Sequence, residues 1–81
     1  MTRPEELREQ IRGKILAGAL PKEYCRMTWF GPGRGGTCAA CNQLIGPDDI
    51  EVECDLPGGG VLLFHRRCYD LWADIWPSSN G

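Results

Sequence analysis

Four residues in this chain have the types and the spacing to hold a metal ion. Cys38 and Cys41 form C-x-x-C, and His65 and Cys68 form H-x-x-C. Twenty-three residues separate the two pairs. Three thiolates and one imidazole make a closed tetrahedral set that suits structural zinc. In C-x-x-C a tight turn brings both sulfurs to one ion, and the small Ala39 and Ala40 leave room for it. His65 is the only histidine, and it stands in "LLFHRRCYDLW" three positions before Cys68. At a helix start, positions i and i+3 share a face. The first-turn amides there also favour thiolate over thiol. Three thiolates around a divalent ion leave one negative charge, which Arg66 and Arg67 stand close enough in sequence to offset from outside the ligand set.

The competing readings of the same residues are weaker. A redox C-x-x-C wants a βαβ frame, which 81 residues with this pattern do not offer. Catalytic zinc keeps an open position, four protein ligands leave none, and no second histidine exists to act as a base. The expectation is therefore a protein that is not an enzyme. Cys25 and Cys54 are left over. Cys54 is an alternative ligand, but it shares an alternating face with Ile50 and Val52, which favours a buried thiol acting as a small hydrophobe. Cys25 is expected to be structural in the same way.

The elements that must position these ligands can be read in outline. One domain is the prior at this length, and a core this small needs a staple. Residues 1–21 read as an amphipathic helix. Thr2 and Glu5 have capping-box spacing, and Pro4 fits the first turn. Leu7, Ile11, Ile15, Leu16 and Leu20 make the apolar stripe, and Pro21 ends it. Residues 22–37 read as a Gly/Pro-containing linker that Trp29 and Phe30 pin to the core. Its "GPGRGG" lacks the G-K-[ST] ending of a phosphate loop. Residues 38–76 hold the ligand pairs, a hairpin and a helix. "IEVEC" alternates as a half-buried strand should, "DLPGGG" breaks the chain, and "VLLF" is the second strand. Cys68, Leu71 and Ile75 form the stripe of the final helix, with Trp72 and Trp76 beside it. Residues 77–81 are a tail that stops it. The fold class expected is a small α+β zinc domain with an additional N-terminal helix.

C-x-x-C, a hairpin and H-x-x-C on a helix, in that order, resemble the treble-clef zinc fingers. The first half of a LIM domain has a similar pattern, here Cys38, Cys41, Phe64, His65, Cys68 and Tyr69. The PARP-type finger is similar at "CNQLI" and "FHRRC". The chain also resembles a group of small bacterial proteins with an N-terminal helix, a Gly-Pro-Gly linker and such a finger. The resemblance implies one structural Zn²⁺ held by Cys38, Cys41, His65 and Cys68. It departs from LIM domains because "YDLWADIW" supplies no ligands for a second ion. It departs from PARP-type fingers because "GPDDIEVECD" is acidic where those carry DNA-contacting bases.

Charge and composition narrow the partners. Residues 1–36 carry seven basic against four acidic side chains, and residues 37–81 carry two against seven. A nucleic-acid backbone could follow Arg3, Arg8, Arg12, Lys14, Lys22, Arg26 and Arg34, with Trp29 or Phe30 stacking on bases. Interleaved Glu5, Glu6 and Glu9 and a pI near 5.2 argue against it. The favoured role is a protein-binding module, with Trp29, Phe30, Trp72 and Trp76 as candidate anchors. No apolar run reaches the length of a membrane span, and the first twenty residues lack the apolar core of a secretory signal. A cytoplasmic, reducing setting is expected, where clustered cysteines more often bind metal than form disulfides.

Overall fold

The computed structural model describes residues 3–78. It is a small α+β structure with two helices and one three-stranded antiparallel sheet. The elements are α1 (Pro4–Leu16), β1 (Met27–Pro32), β2 (Ile50–Asp55), β3 (Val61–His65) and α2 (Arg66–Ser78), with sheet order β1-β2-β3.

In α1 the four-residue recurrence buries Leu7, Ile11 and Ile15. Glu5 and Glu6 lie in its first turn and Lys14 in its last, each sign at the end the helix dipole favours. Arg3 occupies the N-cap without a side-chain hydrogen bond, and the Thr2 cap falls outside the described residues. The helix stops at Leu16 rather than running on to Pro21. Gly18 takes φ +80°, its N–H donates to the Ile15 carbonyl, and the Ala19 N–H donates to Lys14. This pair of reversed bonds is a Schellman ending, which needs a left-handed residue at the turn. Leu16 points about 100° round the helix from buried Ile15 and is 72% exposed, so it leaves the expected stripe, while the turn returns Leu20 to the core.

Residues 22–37 are not merely a linker, because they contain β1. Its six residues pair with β2 from Met27↔Asp55 to Pro32↔Ile50. β2 and β3 form the expected hairpin, with Gly59 and Gly60 both at positive φ in its turn. Beyond β1, Gly33 passes so close to Gly46 that a Cβ would overlap the Gly46 carbonyl.

One face of the sheet is dry. Val52, Cys54 and Phe64 are buried against α2, and α1 packs on α2 in turn. Trp72 lies at the centre, stacked on Phe64 at 5.2 Å between ring centroids. Its indole N–H donates to the Pro21 carbonyl at 3.0 Å, which satisfies the one polar atom of a buried tryptophan. Trp72 and Trp76 are 1% and 6% exposed, so neither is a surface anchor. Trp29 and Phe30, expected to pin the chain to the core, are about half exposed. Of the four candidate anchors, Trp29 and Phe30 thus reach the surface, while Trp72 and Trp76 lie in the core.

Candidate metal centre

The turn from Cys38 to Cys41 is built by backbone bonds. The Cys38 N–H donates to Gln43, and the Asn42 N–H returns to the Cys38 carbonyl. Asn42 closes the turn at φ 64°, a left-handed position that Asn tolerates better than most residues. The Ala39 N–H donates to the Leu63 carbonyl at 2.7 Å, tying the turn to β3 just before His65. From the other side, Lys14 of α1 donates to the Ala39 carbonyl at 3.0 Å and to Asn42 Oδ1 at 2.9 Å. Gln10 reaches the Ala40 carbonyl at 3.3 Å.

β3 delivers His65, and the first turn of α2 delivers Cys68. Cys38, Cys41, His65 and Cys68 are all buried, and their ligand atoms lie within 4.8 Å of one another. A tetrahedral ion with sulfur at ~2.3 Å sets its sulfurs about 3.8 Å apart, so the cluster has the dimensions such an ion needs. Among the described residues this is the group able to hold a metal ion.

The imidazole is oriented for that task. Nδ1 faces the Cys41 sulfur at 3.3 Å. Nε2 lies 3.0 Å from the Leu44 carbonyl and 3.7 Å from Asp49 Oδ2. Both groups opposite Nε2 are acceptors, so Nε2 carries the proton and the Nδ1 lone pair points into the cluster. A metal-bound histidine is typically held by this kind of bond from its other nitrogen. Leu44 acts through its backbone, so no side-chain motif announces it.

The three thiols are electrostatically unequal. Cys38 is drawn down to about 4 by the hydrogen bond it accepts from the Cys68 thiol, aided by backbone N–H groups of Cys41, His65 and Ala40. The His65 N–H stands 3.4 Å from that sulfur. Cys68 is pushed well above the usual thiol range because it donates to Cys38 and is buried. Burial also pushes Cys41 up. The cluster therefore holds one thiolate ready for a cation and two thiols that must lose protons when one binds.

Arg66 and Arg67 are exposed beside the site and line an open cleft of about 650 Å³ with Asp48, Asp49 and His65. The Arg66 guanidinium turns to Asp70 at 3.5 Å and lies over the Phe30 ring at 5.0 Å. The bond that orients the ligand ring comes from Leu44 instead.

The remaining cysteines correct the sequence reading. Cys25 and Cys54 are not independent buried thiols. They are joined by a disulfide, with Cα atoms 5.3 Å apart. The five cysteines divide into a bonded pair and three free thiols gathered at the candidate site. β1 lays the segment containing Cys25 beside β2, so the pairing follows from the strand that the linker reading missed.

No protein family, curated protein or solved structure matches this chain. The LIM and PARP-type resemblances thus gain no family match, and what stands is the buried Cys3His cluster. No described helix is long and apolar enough to cross a membrane.

Proposed function

We propose that the chain is a structural zinc module of treble-clef type whose folded surface binds another protein. The observation that carries this reading is the convergence of four buried ligand atoms from three separate segments. Cys38 and Cys41 come from the turn, His65 from the end of β3 and Cys68 from α2. Soft sulfur and imidazole donors in a tetrahedral-sized space select zinc over hard cations. When bound, the ion supplies a cross-link between those segments. Four protein donors leave it no open position, which supports a structural rather than a catalytic role.

Support for a protein partner comes from the surface. Met27, Trp29 and Phe30 are about half exposed on β1, one edge strand of the sheet, and Val61 is about half exposed on β3, the other. Many basic side chains that could have tracked a phosphate backbone are already engaged. Arg8 meets Asp74, Arg12 meets Glu9, Arg34 meets Glu51 and Glu53, and Lys14 holds the Cys38–Cys41 turn.

Native mass spectrometry of wild type, His65→Ala and Cys38→Ser tests the metal reading. One zinc in wild type, lost from both variants together with the dispersed amide spectrum, is the expected result. Zinc retained without His65, or no zinc in wild type, rejects it.

A further inference from the structure

The Cys38–Cys41 turn is the tip of a short ribbon whose legs are residues 33–37 and 43–46. The Gly35 N–H donates to the Ile45 carbonyl at 3.1 Å, and the Ile45 N–H returns to Gly36 at 2.8 Å. Thr37 and Leu44 form a bridge between the legs, and the Cys38 N–H donates to Gln43 at 2.9 Å. The ribbon therefore carries two of the four candidate metal donors. It also orients a third, because its Leu44 carbonyl lies 3.0 Å from His65 Nε2.

The ribbon lies against one face of the sheet. A Cβ at Gly36 would stand 2.7 Å from Leu63 Cδ1 and 3.9 Å from Glu51 Oε1. Leu63 and Glu51 share that face, since Glu53↔Leu63 and Glu51↔His65 are partners in the β2–β3 register. Glu51 thus stands opposite His65 and beneath the leg that leads to Cys38.

Glu51 is 4% exposed. A buried carboxylate persists only where its charge and its lone pairs are met. Arg34, the one charged side chain in "GPGRGG", meets them three times. Its Nε and Nη2 donate to Oε2 at 3.0 and 2.7 Å, and its backbone N–H reaches Oε1 at 3.4 Å. Arg34 Nη2 also donates to Glu53 Oε1 at 2.9 Å. Two guanidinium nitrogens on one oxygen and a backbone N–H toward the other fix direction as well as distance. An ion pair between two exposed side chains would contribute little, but here the acid is buried, and losing Arg34 leaves its charge unmet.

The place of this pair decides what it does. Lys14 and Gln10 hold the tip of the ribbon from α1. Arg34 holds its stem to β2, beside the strand that ends in His65 and leads into Cys68. A stem that slid along the sheet would move Cys38, Cys41 and the Leu44 carbonyl together, away from the other two donors.

We propose that the Arg34–Glu51 pair is a positioning clamp for the metal centre, which slows release of a bound ion by holding the Cys38–Cys41 ribbon and the Leu44 carbonyl against His65. This rests on the zinc reading and adds the residues that govern retention of the ion.

The test follows transfer of zinc from the full, loaded chain to an excess of chromophoric chelator. Cobalt-loaded samples supply ligand-field spectra, and ¹⁵N-labelled zinc-loaded samples report exchange of the His65 Nε2 proton with water. One zinc per chain is expected in Arg34→Ala, Arg34→Lys and Glu51→Gln. Release is about 10–100-fold faster in Arg34→Ala, the range that losing the support of a metal ligand costs in affinity. Glu51→Gln and Arg34→Lys fall between, because the first loses the charge and the second the paired N–H groups. The ligand-field bands shift in the same order, and the Nε2 proton exchanges faster. Two controls separate positioning from stability. Cys25→Ser/Cys54→Ser lacks the disulfide and Arg8→Ala lacks an exposed ion pair, and both release zinc at the wild-type rate. Unchanged release in the clamp variants, unaltered cobalt bands, or release that follows the urea midpoint across clamp and control variants alike overturns the proposal. If Arg34→Ala does not fold, Arg34→Lys and Glu51→Gln decide on the same readings. Wild type that binds zinc while its clamp variants release it no faster rejects the clamp alone. Wild type that takes up no zinc rejects the zinc module and the clamp with it.

Discussion

The β2–β3 hairpin is held at its two ends by different uses of cysteine. At its open end His65 joins Cys38, Cys41 and Cys68 in a dry cluster with one thiolate and two thiols. Near its turn, Cys54 is bonded to Cys25 and ties the start of β1 to the sheet. The first end gathers three segments around a point, and α1 clasps it through Lys14 and Gln10. The second end is a single bond between two neighbours. The comparison teaches that the same residue type gives a folding centre where it converges with other donors, and a local stitch where it meets only its like.

Breaking each end separately sharpens the contrast. Removing the ion with a strong chelator is expected to have the largest effect. Structural zinc contributes on the order of 10 kcal/mol in small domains, so residues 37–76 should lose amide dispersion and far-UV ellipticity. A chelated chain that keeps its native spectrum would erase the difference between the ends. The Cys25→Ser/Cys54→Ser variant comes next. The sequence separation of 29 corresponds to about 3–4 kcal/mol of loop-closure entropy. Urea midpoints should fall accordingly, while one metal per chain is retained. Loss of the metal in this variant would show that the two ends are coupled.

Acid should act on the first end more than on the second. Because the chelated chain unfolds over residues 37–76, its three thiols are protonated at neutral pH and all must release their protons on binding. Affinity therefore rises with pH below the thiol range, by about a thousandfold per unit for three protons. A metal-free cluster that stayed folded would release only two above about pH 4, because Cys38 is drawn down while Cys41 and Cys68 are pushed up. Calorimetry in buffers of different ionisation enthalpy counts these protons, and release of fewer than one would contradict the assignment. The smallest change is Lys14→Met. It removes two hydrogen bonds to the metal-holding turn, at roughly 1 kcal/mol each at most, and should appear as a modest fall in Tm.

How much of this was legible in the sequence also divides between the two ends. The four clustered residues are fixed by spacing, because C-x-x-C and H-x-x-C each fold locally. The hairpin was visible in the alternation of Ile50–Cys54, and α1 in the recurrence of Leu7, Ile11 and Ile15. β1 was hidden because Gly31, Pro32 and Gly33 outweighed the strand-favouring Thr28, Trp29 and Phe30 in a short window. With β1 unseen, the partner of Cys25 could not be found, since a disulfide is a statement about distance in space. Which of the four candidate aromatics face outward stayed open in the sequence for a related reason. Composition counts tryptophans, but only the packing of α2 decides which of them faces inward. Leu44, Gln10 and Lys14 escaped because they act on or through backbone carbonyls, which no side-chain pattern encodes.

The strand order bears on the sequence of assembly. β1 precedes the metal-holding turn, yet it pairs with β2, which follows that turn. The ligands from Cys38 to Cys68 bracket β2 and β3 but leave β1 and α1 outside the loop they close. Ion capture thus shortens the search that forms the hairpin, and β1 gains a template only once β2 exists. A chain emerging from synthesis exposes α1 and β1 first but fixes them last, zipping the amino-terminal third onto a nucleus made downstream.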